Sequence, residues 1–253
     1  MFSFTQDIVS VVITVICSLL FMAMLNRIWP WEKRRAHNDL IGWQLSILGT
    51  TYAVILGFML YTVWTNFGEA DLNVDLEANA LVNVYRLAEG LPDPQHQQLE
   101  GLARSYADAA INVDWPEMIN NRVPNTTVEL NRQMWKLLMS VKTATPTQLT
   151  AEDHALYELS TLTEHRRTRV LESTARLPKV LWCVLIIGGL LTIVSSSMFG
   201  AENYKLHGLQ VFAFSLLIAL VLVAIANINQ PFQGSVHVSD YAFRRALENM
   251  QNH

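Results

Sequence analysis

The chain has 253 residues, 51% hydrophobic and 16% charged, with a formal net charge of −4; an ordinary soluble domain has about a quarter of its residues charged, so that class is excluded. Of its 40 charged residues, 27 lie between Glu69 and Lys179, leaving 13 for the other 142 residues. That middle segment carries 16 acids against 11 bases, so it offers no basic surface for a phosphate backbone, and nucleic acid is excluded as a partner.

The first element is the 19-residue uncharged run between Asp7 and Arg27, which as a helix would span about 28 Å, the thickness of a hydrocarbon core. Its basic residues, Lys33, Arg34 and Arg35, follow the run instead of preceding it, so it predicts a retained span over 8–28 and not a cleaved leader. A second charge-free stretch, Leu40 to Gly68, predicts a span over 43–66. Gly42, Ser46, Gly49, Ala53 and Gly57 recur there every three or four residues and make one flat helix face, with Gly49, Ala53 and Gly57 forming overlapping small-xxx-small motifs. Two readings follow. The face packs closely against another helix, or it walls a narrow pore in which Thr50, Thr51, Thr62 and Thr65 offer hydroxyls to an ion. The candidates for either role are Gly49, Thr50, Thr51, Ala53, Gly57, Thr62 and Thr65.

Beyond this span the apolar spacing of Leu72, Leu76, Ala80 and Val84 carries the helix out of the membrane as far as Gly90. A second polar-segment helix is predicted over 95–113 and is ended by Trp115 and Pro116. A third starts from a Thr126/Glu129 capping box and reaches Val141; a fourth starts at Thr150/Asp153 and runs to about Leu177. The expected fold class is an all-α membrane protein: four transmembrane helices in two hairpins, with a soluble antiparallel helical-bundle domain inserted between helices 2 and 3. The expected organisation is a first hairpin at 1–67, the soluble domain at 68–178, a second hairpin at 179–230 with spans over 180–200 and 208–228, and a C-terminal tail at 231–253.

The juxtamembrane acids Glu69, Asp71, Asp75 and Glu77 leave the second span where the bases Arg166, Arg169, Arg176 and Lys179 return to the third. Ion pairing between Glu69, Asp71, Asp75, Glu77 and Arg166, Arg169, Arg176 is the favoured expectation, with an acidic ring at a pore mouth as the competing one. The seven histidines, His253 among them, never recur at i, i+3 or i+4, and Cys17 and Cys183 lie inside apolar runs, so neither a metal site nor a cofactor is predicted. No nucleophile–base–orienter constellation, Walker loop or dinucleotide fingerprint is visible, and no enzymatic activity is expected. The four bases of the first link, Arg27, Lys33, Arg34 and Arg35, predict that this link is cytoplasmic, which places the termini and the helical domain outside the cytoplasm of a bacterial inner membrane.

The order HNDLIG, YAVILGF, W-x-x-F-x-x-A, EANALVNVYRLAEGLP, DWPEM, RRTRV, LPKVLW and QPFQGSVHVS, running from His37 towards Phe243, resembles the bestrophin-like DUF4239 family of bacterial membrane proteins. Through its remoter link to true bestrophins, which are pentameric anion channels with a cytosolic helical domain, the resemblance implies a homo-oligomer embedded in membrane lipid and an anion-permeable path along the second span. The alternative is a non-conducting envelope assembly or sensor, whose small helix faces pack subunits and whose helical domain binds an envelope protein partner.

Overall fold

A computed structural model describes residues 4–252; residues 1–3 and His253 lie outside it. Every regular element among the described residues is helical: α1 (Phe4–Ile28), α2 (Trp31–Arg35), α3 (Asn38–Ala88), α4 (Gln95–Ala109), a π-helical turn (Ala110–Asp114), α5 (Trp115–Ile119), α6 (Thr126–Leu138), α7 (Pro146–Thr174), α8 (Lys179–Ser197), α9 (Tyr204–Ile228) and α10 (Tyr241–Gln251). The chain divides into two compact units, one of residues 1–65 and 176–229, the other of residues 66–175 and 230–253.

In the first unit α1, α3, α8 and α9 are each long and apolar enough to cross a membrane. Their surface composition explains why. Only 11% of the most apolar window of α3 is buried within the chain, and in the other three helices the share stays at or below 39%, so most of this apolar surface would face water in a soluble protein. Several hydroxyls on these helices are satisfied internally: Ser10, Thr14, Ser46, Thr192 and Ser197 each donate to the carbonyl four residues back. That is the arrangement hydrocarbon demands of a polar group.

The unit closes on small contacts. Tyr52 of α3 donates its phenol proton to the Leu185 carbonyl at 2.8 Å, and its ring lies so close to α8 that a Cβ on Gly188 would stand 2.5 Å from ring carbon. Ile193 and Ile218 pack around Tyr52, and Val63, Leu185 and Ile225 form a second cluster along the same helices. At the links, Arg34 of α2 is wholly buried and donates to the Ser197 carbonyl at 2.8 Å and to the Asn26 amide oxygen. Asn38 exchanges two hydrogen bonds of 2.9 Å with the backbone of Gly200.

The second unit buries its own core, built from Leu81, Val84, Leu99, Tyr106, Met134, Leu138, Leu159 and Leu162 together with Phe232, Phe243 and Met250 of the C-terminal segment. The segment expected as a tail is therefore part of this core, carried by α10, which presents Phe243, Ala246 and Met250 at helical spacing. Three sequence-predicted boundaries also shift. α6 starts at Thr126, with Asn125 at the capping position and no side-chain cap. α7 starts at Pro146, because Thr145 accepts a hydrogen bond from Gln148 N and proline suits a first helical turn that needs no donor. Trp115 and Pro116 do not stop the chain, which continues through the π turn into α5 with Pro116 in its first turn. α5 ends where Asn121 takes φ 58°, with Asn121 N bonded to Met118 O and Arg122 N to Glu117 O; asparagine tolerates that left-handed conformation.

Candidate functional site

Two sites follow from the residues singled out above: a face of α3 in the first unit and a buried charge centre in the second. On α3 the positions that pack inside the unit include Tyr52, Ile55, Leu56, Met59, Leu60 and Val63. Most of the small face points elsewhere. Thr50, Ala53 and Gly57 are exposed and Gly49 half-buried, and a Cβ added at Gly49 or Gly57 would meet nothing within 4 Å.

The hydroxyl candidates do not share one face. At about 100° per residue, Thr50 lies beside Gly57, whereas Thr51 and Thr62 fall about 120–140° round the helix from it and Thr65 between the two. Thr62 spends its proton on the Phe58 carbonyl at 2.8 Å. Thr51 lines a different feature, an apolar groove of about 430 Å³ shared with Trp43, Ile47, Tyr52, Val184 and Gly188.

In the second unit the acids separate. Glu69, Asp71 and Asp75 are exposed, while Glu77 turns inward and is wholly buried. Arg169, also wholly buried, donates through Nε to Glu77 Oε2 at 2.7 Å, and through one terminal nitrogen to Glu77 Oε1 at 3.1 Å and Asp114 Oδ2 at 3.2 Å. The Tyr106 hydroxyl donates to Glu77 at 2.7 Å and the Thr127 hydroxyl to Asp114 at 2.5 Å. The Arg169 guanidinium lies over the rings of Trp115 and Phe243, 5.2 and 5.8 Å from their centroids. Arg166 bonds the Thr127 hydroxyl and the Pro124 carbonyl instead of an acid, and Arg176 and Lys179 are exposed in the first unit.

Burial opposes the charge on Arg169, yet the Glu77 carboxylate beside it, with Tyr106 and Asp114, raises its pKa overall. Burial and the Glu77 charge likewise push the Tyr106 phenol well above its ordinary value. Arg169 is thus held as a cation and Tyr106 as a neutral phenol. Its sequence signal was incomplete: Glu77 and Arg169 stood among the candidates, but Asp114, Tyr106 and Thr127 did not. Their cue lay in the motifs. EANALVNVYRLAEGLP supplies Glu77, DWPEM supplies Asp114 and Trp115, RRTRV supplies Arg169, and QPFQGSVHVS supplies Phe232 and the Val238 carbonyl that accepts from Trp115 Nε1 at 3.2 Å.

One group beside this centre titrates near neutrality. The Glu172 carboxyl, with Oε2 buried and unpartnered, is raised to about 7 by burial and by the charges of Glu69 and Glu77. A carboxyl that keeps its proton in the fold but loses it when unfolded stabilises at low pH. The folded protein binds one more proton between the ordinary carboxyl value of 4.5 and about 7, so the second unit loses stability as pH rises through that window. Glu172→Gln is expected to remove that slope from thermal midpoints measured between pH 4 and 8; an unchanged slope would assign it to other groups.

Among comparisons with known proteins, the bestrophin-like domain pattern matches residues 12–243. The chain belongs to the bestrophin-like family. The fold agrees: a crystal structure of a mutated bacterial bestrophin homolog from Klebsiella pneumoniae superposes with a TM-score of 0.69 at 15% identity, covering 98% of this chain and 100% of that one. No curated protein matches the chain. The bestrophin-like match ends at Phe243, the ring under Arg169, so the family pattern takes in the C-terminal segment that completes the buried centre. A bestrophin-like chain with four bilayer-length apolar helices is a membrane protein.

Proposed function

We propose that this bestrophin-like protein forms a homo-oligomeric, anion-permeable channel in a bacterial inner membrane, with α3 lining the path. The spans form two hairpins, and the second unit is a helical domain in water. The observation that supports this best is the face of Gly49, Thr50, Ala53 and Gly57, which the chain itself leaves uncovered although glycine and alanine there allow close approach. Thr50 and Thr65 have no hydrogen-bond partner among the described residues, so their O–H groups remain free to donate to a partly dehydrated anion. Between Asp39 and Glu69 α3 carries no charge to hold an ion too tightly for release.

Gly57→Leu tests the proposal cleanly, because inside the chain the new side chain finds open space. In planar bilayers the wild type is expected to pass anion current and the variant to lose at least about tenfold, with its unfolding free energy within about 0.5 kcal/mol of the wild type. Absence of current in both, with the oligomer broken by the substitution on native gels, would favour the non-conducting assembly. Current unaffected by the substitution would remove α3 from the path. For sidedness, the basic first link supports an extracytoplasmic second unit: a cysteine at exposed Gln97, in a chain with Cys17 and Cys183 replaced by Ser, should react with impermeant maleimide in intact cells, and protection there would reverse the orientation.

A further inference from the structure

The second unit carries an open groove of about 560 Å³ between α3 and α10, lined among others by Asp75, Asn79, Asn83 and Arg86 of α3 and by Arg245 and Asn249 of α10. That volume lies within the range of small-molecule sites, about 300–1,000 Å³. We infer that this groove binds a small organic anion, a phosphate monoester or carboxylate whose body carries hydroxyl or amide groups.

The first argument is what the arginines decline to do. Glu248 stands three residues beyond Arg245 on α10, the spacing at which a helix readily forms ion pairs, and Glu89 follows Arg86 just past the end of α3. Arg132 with Glu129 and Arg244 with Asp240 make such local pairs in this unit. Arg86 and Arg245 make no ion pair among the described residues; Arg245 lies instead over the Tyr241 ring, 5.9 Å from its centroid. The residues of this unit comprise 18 acids and 11 bases, a net charge of −7, so two guanidinia facing one groove without a carboxylate partner are a local reversal of its charge. Guanidinium forks match carboxylate and phosphate oxygens in pairs.

The second argument sets the ligand's class. Asn79, Asn83 and Asn249 each bring an amide that both donates and accepts, and none has a side-chain partner among the described residues. A bare inorganic ion would leave these amides, and most of the volume, unused. Asp75 lies about 16 Å along α3 from Arg86 at 1.5 Å per residue. It marks the opposite end of the groove and opposes any anion that reaches that far.

The inference does not depend on conduction, and its test does not read current. The full chain in lipid nanodiscs would be titrated calorimetrically with glycerol 3-phosphate, malate, inorganic phosphate and, as a neutral control, glycerol. The expected result is saturable binding of glycerol 3-phosphate or malate, weaker binding of inorganic phosphate, and none of glycerol. Arg86→Gln combined with Arg245→Gln should weaken binding at least about tenfold. Asp75→Asn should leave it equal or tighter by less than about twofold, whereas loss of fold would weaken it. Arg167→Gln, on an exposed arginine outside the groove, should change nothing. No saturable heat from either organic anion, equal affinity for inorganic phosphate, or equal effects of the Arg167 and groove variants would each overturn the inference.

Discussion

Arg169→Met is expected to destabilise the second unit by about 3–5 kcal/mol, because removing the cation leaves the buried carboxylates Glu77 and Asp114 without it. The loss of one partner is far costlier than the worth of the pair: desolvation has already been incurred by both acids, and the low dielectric that strengthened their attraction to Arg169 now strengthens their mutual repulsion. Arg169→Lys should recover little. A single ammonium cannot reach Glu77 through two parallel bonds while also touching Asp114, and it loses the flat stacking on Trp115 and Phe243. Adding Glu77→Gln and Asp114→Asn to Arg169→Met should restore part of the loss, since neutral amides are cheaper to bury than charges. Thermal and denaturant midpoints of the three variants check the ordering, and a single variant within about 0.5 kcal/mol of wild type would show that the triad contributes little.

Where this centre sits explains what the sequence could and could not reveal. Charge segregation made the four apolar helices legible, since hydrocarbon tolerates so few ions that their absence is itself a signal. The acids and bases flanking the spans also drew attention to Glu77 and Arg169. Yet local periodicity sees only neighbours on one helix. Asp114 reaches Arg169 through a π turn that gives the end of α4 one extra residue, and such a turn has no compositional signature. In sequence the segment 231–253 reads as a short polar tail; its role in the core depends on three aromatic contacts, of Phe232 and Phe243 with Trp115 and of Phe243 with Tyr106, that join residues more than a hundred positions apart. The small face of α3 was visible as spacing, but its rotation relative to Thr51 and Thr62 became meaningful only once Tyr52 and Val63 fixed which side packs inward.

The same distinction between inward and outward faces makes glycine a diagnostic residue in this chain. Gly200→Ala is expected to cost the first unit about 1–3 kcal/mol from overpacking, and more if the Asn38 hydrogen bonds are lost with it. A Cβ at Gly200 would stand 2.4 Å from Arg35 N, 2.6 Å from Trp31 O and 2.8 Å from Arg34 C. All three are backbone atoms, so no rotamer change can relieve the clash, and α2 must move away from the end of α8. Moving α2 also draws Arg34 from the Ser197 carbonyl, exposing or stranding a buried guanidinium whose burial already lowers its pKa. Gly49→Ala is the matched control: within the chain its Cβ meets nothing, and replacing a helical glycine by alanine should be neutral or stabilising by about 0.5–1 kcal/mol. Thermal midpoints in detergent should therefore shift in opposite directions for the two substitutions. If Gly49→Ala instead lowers the midpoint in the assembled protein but not in the detergent-dispersed monomer, the atoms it strikes belong to a second copy, and the face of α3 is where copies meet.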